Sequence, residues 1–141
     1  MSALQNSLLG GQGMARTERM LADLHLDVAT RGVPELPYTV YGLLWHLELS
    51  QHILLRQLAG ELVTWPPSAE QWPQQVPDEV EFQALLTRLQ TGLKQAADLA
   101  ADPDALPAAT RDTLEDLCAH NAYHWGQVVT LRRLLGDWPP V

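Results

Sequence analysis

The chain has 141 residues, 46% of them hydrophobic, and nine basic against seventeen acidic residues give it a net charge of −8. Length and composition predict a single domain, residues 1–141, with an ordinary apolar core. The charge argues against nucleic acid as a partner, because it repels a phosphate backbone. No apolar run of about 20 residues and no leader pattern is present, so we expect no membrane partner and a soluble cytoplasmic protein.

The first half of the chain predicts two helices. The first is expected over residues 14–29, after the flexible glycine-rich residues 10–13, and it ends before Gly32 and Pro34. The second begins after Pro37 with Thr39 as its N-cap, carries leucines at helical spacing, and ends at Gly60.

The second half predicts two more helices. The third opens at Asp78 to Glu81, which has the form of a capping box, and Asp102-Pro103 closes it. The fourth runs from about Thr110 to Leu135, with Gly136 as its stop and Pro139-Pro140 beyond. With no alternating strand pattern, these segments predict an all-α four-helix bundle, whose ligand sites lie between facing helices.

Two histidines four residues apart, His120 and His124, share one face of the fourth helix with Leu117, Val128 and Leu131. Both imidazoles are therefore expected to point into the bundle. Two neutral imidazoles at this spacing form half of a divalent metal site, if another element supplies a third ligand. The spacing alone equally fits two core histidines that form hydrogen bonds with their neighbours.

The other histidines and the cysteine differ in what their positions predict. His46 lies in the apolar second helix and is expected to lean inward, whereas His52 lies about 120° further around the helix and is expected at the boundary or surface. His25 has no partner at ligand spacing. Cys118 is the single cysteine, so it forms no disulfide within the chain, and we expect a buried, inert thiol.

Two stretches carry a resemblance to a known family. The fourth helix resembles the signature of the DinB-like superfamily of metal-dependent four-helix proteins, in the residues His120-Asn121-Ala122-Tyr123-His124-Trp125-Gly126-Gln127 and Leu131-Arg132-Arg133-Leu134-Leu135-Gly136. The second helix is similar to that family's helix with a single metal-binding histidine, in Tyr38-Thr39-Val40-Tyr41 and Leu44-Trp45-His46-Leu47. The long loop with Trp65-Pro66 and Trp72-Pro73 is similar to one branch of the superfamily.

The resemblance implies that His46, His120 and His124 bind one divalent ion, most often nickel or zinc, with waters in the remaining positions. Three protein ligands and an open position are typical of a catalytic site. Characterised members include thiol-dependent S-transferases and isomerases that use small thiols such as bacillithiol. This chain has no basic cluster for the carboxylates of such a thiol, since its densest basic pair, Arg132 and Arg133, belongs to the last helical turn.

Two functions remain open at this point. The first is a metal-dependent enzyme, a hydrolase or a thiol S-transferase, in which a water or a substrate thiol is the nucleophile. Trp65 or Trp72 would wall its pocket, and Gln127 would lie behind the ligands without binding the ion. The alternative is a non-catalytic, metal-binding or stress-related bundle protein. In both cases we expect a homodimer.

Overall fold

The computed structural model describes residues 1–138, and within them the chain is all-helical, without a β-strand. This confirms the predicted all-α class. Pro139 and Pro140, expected beyond the last helix, lie outside the described residues. The described part of the chain has six α-helices: α1 (Ala3–Leu9), α2 (Thr17–Leu21), α3 (Leu26–Ala29), α4 (Val40–Leu58), α5 (Glu79–Leu99) and α6 (Ala108–Leu134).

Helix α1 was not predicted from the sequence. It begins at a capping box, in which the backbone N–H of Gln5 donates to Ser2 Oγ over 3.1 Å and the backbone N–H of Ser2 donates to Gln5 Oε1 over 2.9 Å. The same two side chains dock the helix onto the end of α5, since Ser2 Oγ donates to the carbonyl of Ala100 and Gln5 Nε2 to that of Ala97. Helix α1 packs against both α5 and α6, where Leu8 is fully buried.

The predicted first helix over residues 14–29 is wrong. The structure instead has the two short helices α2 and α3, which are separated where Ala22 is extended and Asp23 adopts a φ of 54°. A positive φ at a residue other than glycine cannot continue a right-handed helix. Arg132 stabilises this break, because its guanidinium donates to the carbonyls of Met20 and Ala22, both over 2.9 Å.

The three long helices agree with the sequence prediction to within a few residues. Thr39 caps α4 by accepting from the N–H of Gly42 over 3.0 Å, and Asp78 and Glu81 form the predicted capping box of α5. Helix α4 packs against both α5 and α6. The core between them consists of buried apolar side chains, among them Leu43, Leu44, Leu47, Phe82, Leu85, Leu89, Trp125, Val128 and Leu131.

Helices α4 and α5 approach each other closely at Gly92. A methyl group at this position would overlap the side-chain amide of Gln51, whose Nε2 donates to the carbonyl of Leu89 over 3.1 Å. Gln51 is buried on α4. The missing side chain of Gly92 therefore makes the space in which a polar amide crosses between two helices.

The loop between α4 and α5 is ordered by side-chain amides. Gln57 Nε2 donates to the carbonyl of Val63 and Gln71 Nε2 to that of Pro66, while Gln74 Nε2 donates to the carbonyls of Ala69 and Trp72. A short 3-10 turn covers Ser68–Gln71. The loop contacts His46 in the first half of α4 through the carbonyl of Gln71 and the ring of Trp72. None of the helices within residues 1–138 combines the length and apolar character that a membrane crossing requires.

Candidate metal centre

Three histidines from two helices meet in the interior of the helical assembly. His46 lies in the middle of α4, and His120 and His124 lie one turn apart on α6, which packs against α4. His46 and His124 are buried, with 7% and 8% of their surfaces exposed, and His120 is half-buried. His52 is exposed, as predicted, His25 is exposed too, and neither belongs to the cluster.

The ligating nitrogens of the three rings converge. One nitrogen from each ring lies within 4.8 Å of the others, and the Nε2 atoms of His46 and His120 are 3.1 Å apart. Two imidazole nitrogens bound to one tetrahedral zinc ion lie about 3.3 Å apart, given zinc–nitrogen bonds of about 2.0–2.1 Å. The three histidines are therefore close enough to bind a single metal ion.

Hydrogen bonding orients His46 for this role. Its Nδ1–H donates to the backbone carbonyl of Gln71 over 2.8 Å, so the Nε2 lone pair faces the other two histidines. The side chain of Gln71 is itself tied to the carbonyl of Pro66 over 2.9 Å, which fixes the turn. A second nitrogen that donates to a carbonyl is the usual arrangement of a metal-binding histidine.

His124 is oriented in the same way by a side chain. Its Nδ1–H donates to Gln127 Oε1 over 2.7 Å, and Gln127 Nε2 in turn donates to Tyr38 Oη over 3.3 Å. Nε2 of His124 is thus left as the lone-pair nitrogen. Gln127 lies behind the ligands, as expected, and its bond to Tyr38 connects α6 to the residues just before α4.

His120 is the least restrained of the three. Its Nδ1 is buried without a hydrogen-bond partner in residues 1–138, and so are both polar side-chain atoms of its neighbour Asn121. Burial, together with the neighbouring His124 and His46, lowers the pKa of His120 to about 4. Burial also lowers the pKa of His124. At neutral pH both rings are uncharged, which is the form that binds metals.

Aromatic rings enclose the cluster on two sides. The indole of Trp72 stacks on the His46 ring with centroids 4.2 Å apart, and it meets the His124 ring edge-on at 6.0 Å. Tyr123 contacts the outer side of His124 at 5.1 Å. Of the two tryptophans expected to wall the site, the structure brings Trp72 to it, whereas Trp65 is 41% exposed.

The basic pair of the last turn does not serve the site. Arg132 is fully buried, and its guanidinium donates to Met20 and Ala22 and pairs with Asp137 at 2.7 Å. Arg133 contacts the Trp138 ring, 5.6 Å from its centroid. Both cations are engaged at the far end of α6.

The remaining polar groups of the site are of two kinds. Gln71 contributes a backbone carbonyl, which no residue pattern could have indicated. Tyr38 could have been suspected, since it precedes the histidine helix in the stretch that carries the family resemblance.

Comparison of this chain with known protein families, with curated proteins and with solved structures found no match.

Proposed function

We propose that this protein is a divalent-metal-dependent enzyme of the DinB-like type, in which His46, His120 and His124 hold one nickel or zinc ion. The observation that carries the proposal is the convergence of three imidazoles whose ligating nitrogens lie within 4.8 Å, two of them oriented by hydrogen bonds at Nδ1. The Nε2 atoms of His46 and His120 lie within hydrogen-bond distance of each other, 3.1 Å, and an ion bound by both lone pairs would take the place of that contact.

The number of ligands supports a catalytic rather than a structural role. Within residues 1–138, no aspartate, glutamate, cysteine or further histidine joins the group. Structural zinc sites are closed by four protein ligands, whereas catalytic sites keep a position open.

The reaction we propose is hydrolysis or S-transfer, with a water or a thiol as nucleophile. A divalent ion supplies a Lewis acid that lowers the pKa of such a nucleophile toward neutrality. Two hydrogen bonds set the tautomers of the proposed ligands. The carbonyl of Gln71 keeps the proton of His46 on Nδ1, and the side chain of Gln127 does the same for His124. Trp72 covers one face of His46 and shields it from water on that side.

The packing of the helices supports a DinB-like four-helix bundle as the finer fold. Helices α1 and α4 each pack against both α5 and α6, so these four surround a common interior. In this arrangement α1 takes the position that the sequence had assigned to residues 14–29. Because α1 has only seven residues, this bundle would have one short member.

The test is metal analysis of protein purified without a metal-affinity column, followed by calorimetric titration with Zn²⁺ and Ni²⁺. We expect one ion per chain in the wild type and in His52→Ala, a control that removes an exposed histidine of the same helix. We expect loss of binding in His46→Ala, His120→Ala and His124→Ala. Unchanged binding after His124→Ala would refute the site.

Cobalt substitution then tests whether a coordination position is open. An open site changes its visible absorption when a small thiol or azide is added, because the added ligand changes the coordination of the ion. A closed site would leave the spectrum unchanged, and that result would reject the enzyme. The same cobalt-loaded protein should then be screened for ester hydrolysis and thiol transfer.

A second candidate is a non-catalytic, dimeric metal-binding protein. It is favoured by exposed apolar side chains in and beside the long loop, where Leu62, Trp65 and Val76 are strongly exposed. Exposed apolar side chains of this kind are typical of association surfaces. Light scattering of the wild type and of a Leu62→Ser, Trp65→Ser double variant would test whether this surface joins two copies.

A further inference from the structure

A cavity of about 590 Å³ lies beside the metal centre, between the residues that precede α4 and the end of the long loop. This volume falls in the range of small-molecule sites, about 300–1,000 Å³. Its wall includes the aromatic rings of Tyr38, Tyr41 and Trp72, together with Pro37, Pro73 and Val76.

The wall of this cavity carries no charged side chain within residues 1–138. Its polar groups are the hydroxyls of Thr30, Thr39 and the two tyrosines, and the amides of Gln74 and Gln75. The side-chain N–H groups of Gln74 already form hydrogen bonds within the loop, because Nε2 donates to the carbonyls of Ala69 and Trp72 over 3.0 Å. An ionised ligand would lose its hydration here without gaining a counter-charge.

A basic side chain lines an adjoining groove but not the cavity. Arg88 lines that groove together with Glu70 and Glu81, and it lies 3.7 Å from a carboxylate oxygen of Glu48. With the chain at a net charge of −8, an anionic ligand would meet no cation among the described residues of the cavity wall and no favourable overall field.

Two cavity residues also touch the metal centre. Trp72 stacks on His46, and Tyr38 Oη accepts from Gln127, the side chain that holds His124. The cavity and the histidine cluster therefore share a wall of two aromatic side chains. A molecule seated in the cavity would lie against Trp72, which stacks on one proposed ligand, and against Tyr38, which bonds the glutamine that orients another.

We infer that this cavity binds an uncharged, largely aromatic or aliphatic molecule as the substrate of the metal centre, an inference that rests on the proposed function. The apolar wall supplies the binding energy, and the tyrosine and threonine hydroxyls orient a neutral polar group. Thiols that carry several carboxylates are excluded as the molecule in this cavity. Among the two reaction types, this favours hydrolysis of a neutral ester or amide.

Gly42 provides a way to block the cavity. It is buried in the first turn of α4 and lines the cavity, where a Cβ would meet Thr39 Oγ1 at 3.4 Å and Pro73 Cγ at 4.0 Å, ordinary contact distances. Gly42→Ala should therefore fold normally, and Gly42→Leu should extend into the cavity. Gly126→Leu is the matched control, because that helical glycine is exposed and has nothing within 4 Å of its Cβ position.

The experiment uses three probes of equal ring size: benzyl alcohol, benzoate and benzylamine. Binding is measured by saturation-transfer NMR and by the shift of the Trp72 indole signal, with and without Zn²⁺. We expect benzyl alcohol to bind at least tenfold more tightly than either ion, and Gly42→Leu, but not Gly126→Leu, to abolish its binding. Benzoate or benzylamine binding as tightly as benzyl alcohol, or binding that survives Gly42→Leu, would overturn the inference.

The two proposals fail separately in this design. Zinc binding without benzyl alcohol binding would refute the substrate class and leave the metal centre standing. Benzyl alcohol binding to a protein that binds neither zinc nor nickel would refute the metal-dependent enzyme, and with it the role of the cavity as a substrate site.

Discussion

The imidazole of His46 and the indole of Trp72 lie face to face, with ring centroids 4.2 Å apart and planes inclined by only 5°. Trp72 comes from the long loop between α4 and α5, and its position depends on the hydrogen bonds that glutamine side chains form within that loop. The Nδ1–H of His46 donates to the same loop, at the backbone carbonyl of Gln71. One segment therefore both orients and covers His46, the histidine that α4 contributes to the cluster.

Removing the Trp72 ring should weaken metal binding without abolishing it. In Trp72→Ala the His46 ring gains rotational freedom and contact with water, so we expect zinc affinity to fall about tenfold, within the range for supporting residues of metal sites. Trp65→Ala is the control, since Trp65 is 41% exposed and lies away from the histidines. Calorimetric titration measures both; equal losses in the two variants would contradict the role of the stack.

Gln127 should control the orientation of His124. Gln127→Ala removes the acceptor of the Nδ1–H bond, and we expect zinc affinity to fall about 10–100-fold, as for other residues that orient metal-binding histidines. Gln127→Glu keeps an acceptor at this position and should retain near wild-type affinity. If zinc affinity falls equally in Gln127→Ala and Gln127→Glu, Gln127 contributes by packing and not by orienting His124.

Cys118 should be unreactive in the folded protein. Burial raises the pKa of its thiol from 9.0 to about 11, with Glu115 adding to the effect, and only 7% of the residue is exposed. Thiol-specific reagents should therefore label the native protein slowly at pH 8 and the guanidinium-unfolded protein at once. Rapid labelling of the native protein would contradict this assignment.

The raised pKa of the Cys118 thiol makes the stability of the protein depend on pH in the alkaline range. The unfolded thiol ionises near pH 9.0 and the folded one near pH 11, so the folded state retains a proton that the unfolded state has lost. Stability should accordingly fall as the pH rises between these values. Urea unfolding at several pH values should show this slope in the wild type and a smaller one in Cys118→Ala.

Arg132 should be a major contributor to stability. Arg132→Ala leaves the carbonyls of Met20 and Ala22 and the carboxylate of Asp137 without their donor, and breaking a buried pair of this kind costs about 3–5 kcal/mol. Arg133→Ala, next to it on the same turn, loses only an exposed contact with Trp138 and should cost about 0.5–1 kcal/mol. Urea unfolding measures the stability of both variants. A similar loss of unfolding free energy in the two would contradict the structural role of Arg132.

The long helices could be predicted because their signals are local. Thr39 and the Asp78 and Glu81 pair mark the starts of α4 and α5, and the apolar period continues from there. The spacing of His120 and His124 was enough to place both rings on one face. That His46 faces them depends on how α4 packs against α6, which only the resemblance indicated.

The first 30 residues were predicted incorrectly for two different reasons. The Ser2 and Gln5 capping box, which starts α1, is a local pattern that the apolar spacing alone does not reveal. The break between α2 and α3 was not readable, because its carbonyls bond to Arg132, more than 100 residues further along the chain. The carbonyl of Gln71 behind His46 belongs to the same class of long-range contact.

The close approach of Gln51 and Gly92 has an evolutionary consequence. Because any side chain at position 92 would occupy the space of the Gln51 amide, neither position is free to change alone. Homologous sequences should therefore show correlated substitutions, in which a larger residue at 92 appears together with a smaller one at 51. The same coupling means that library-based engineering of this helix pair should randomise both codons at once.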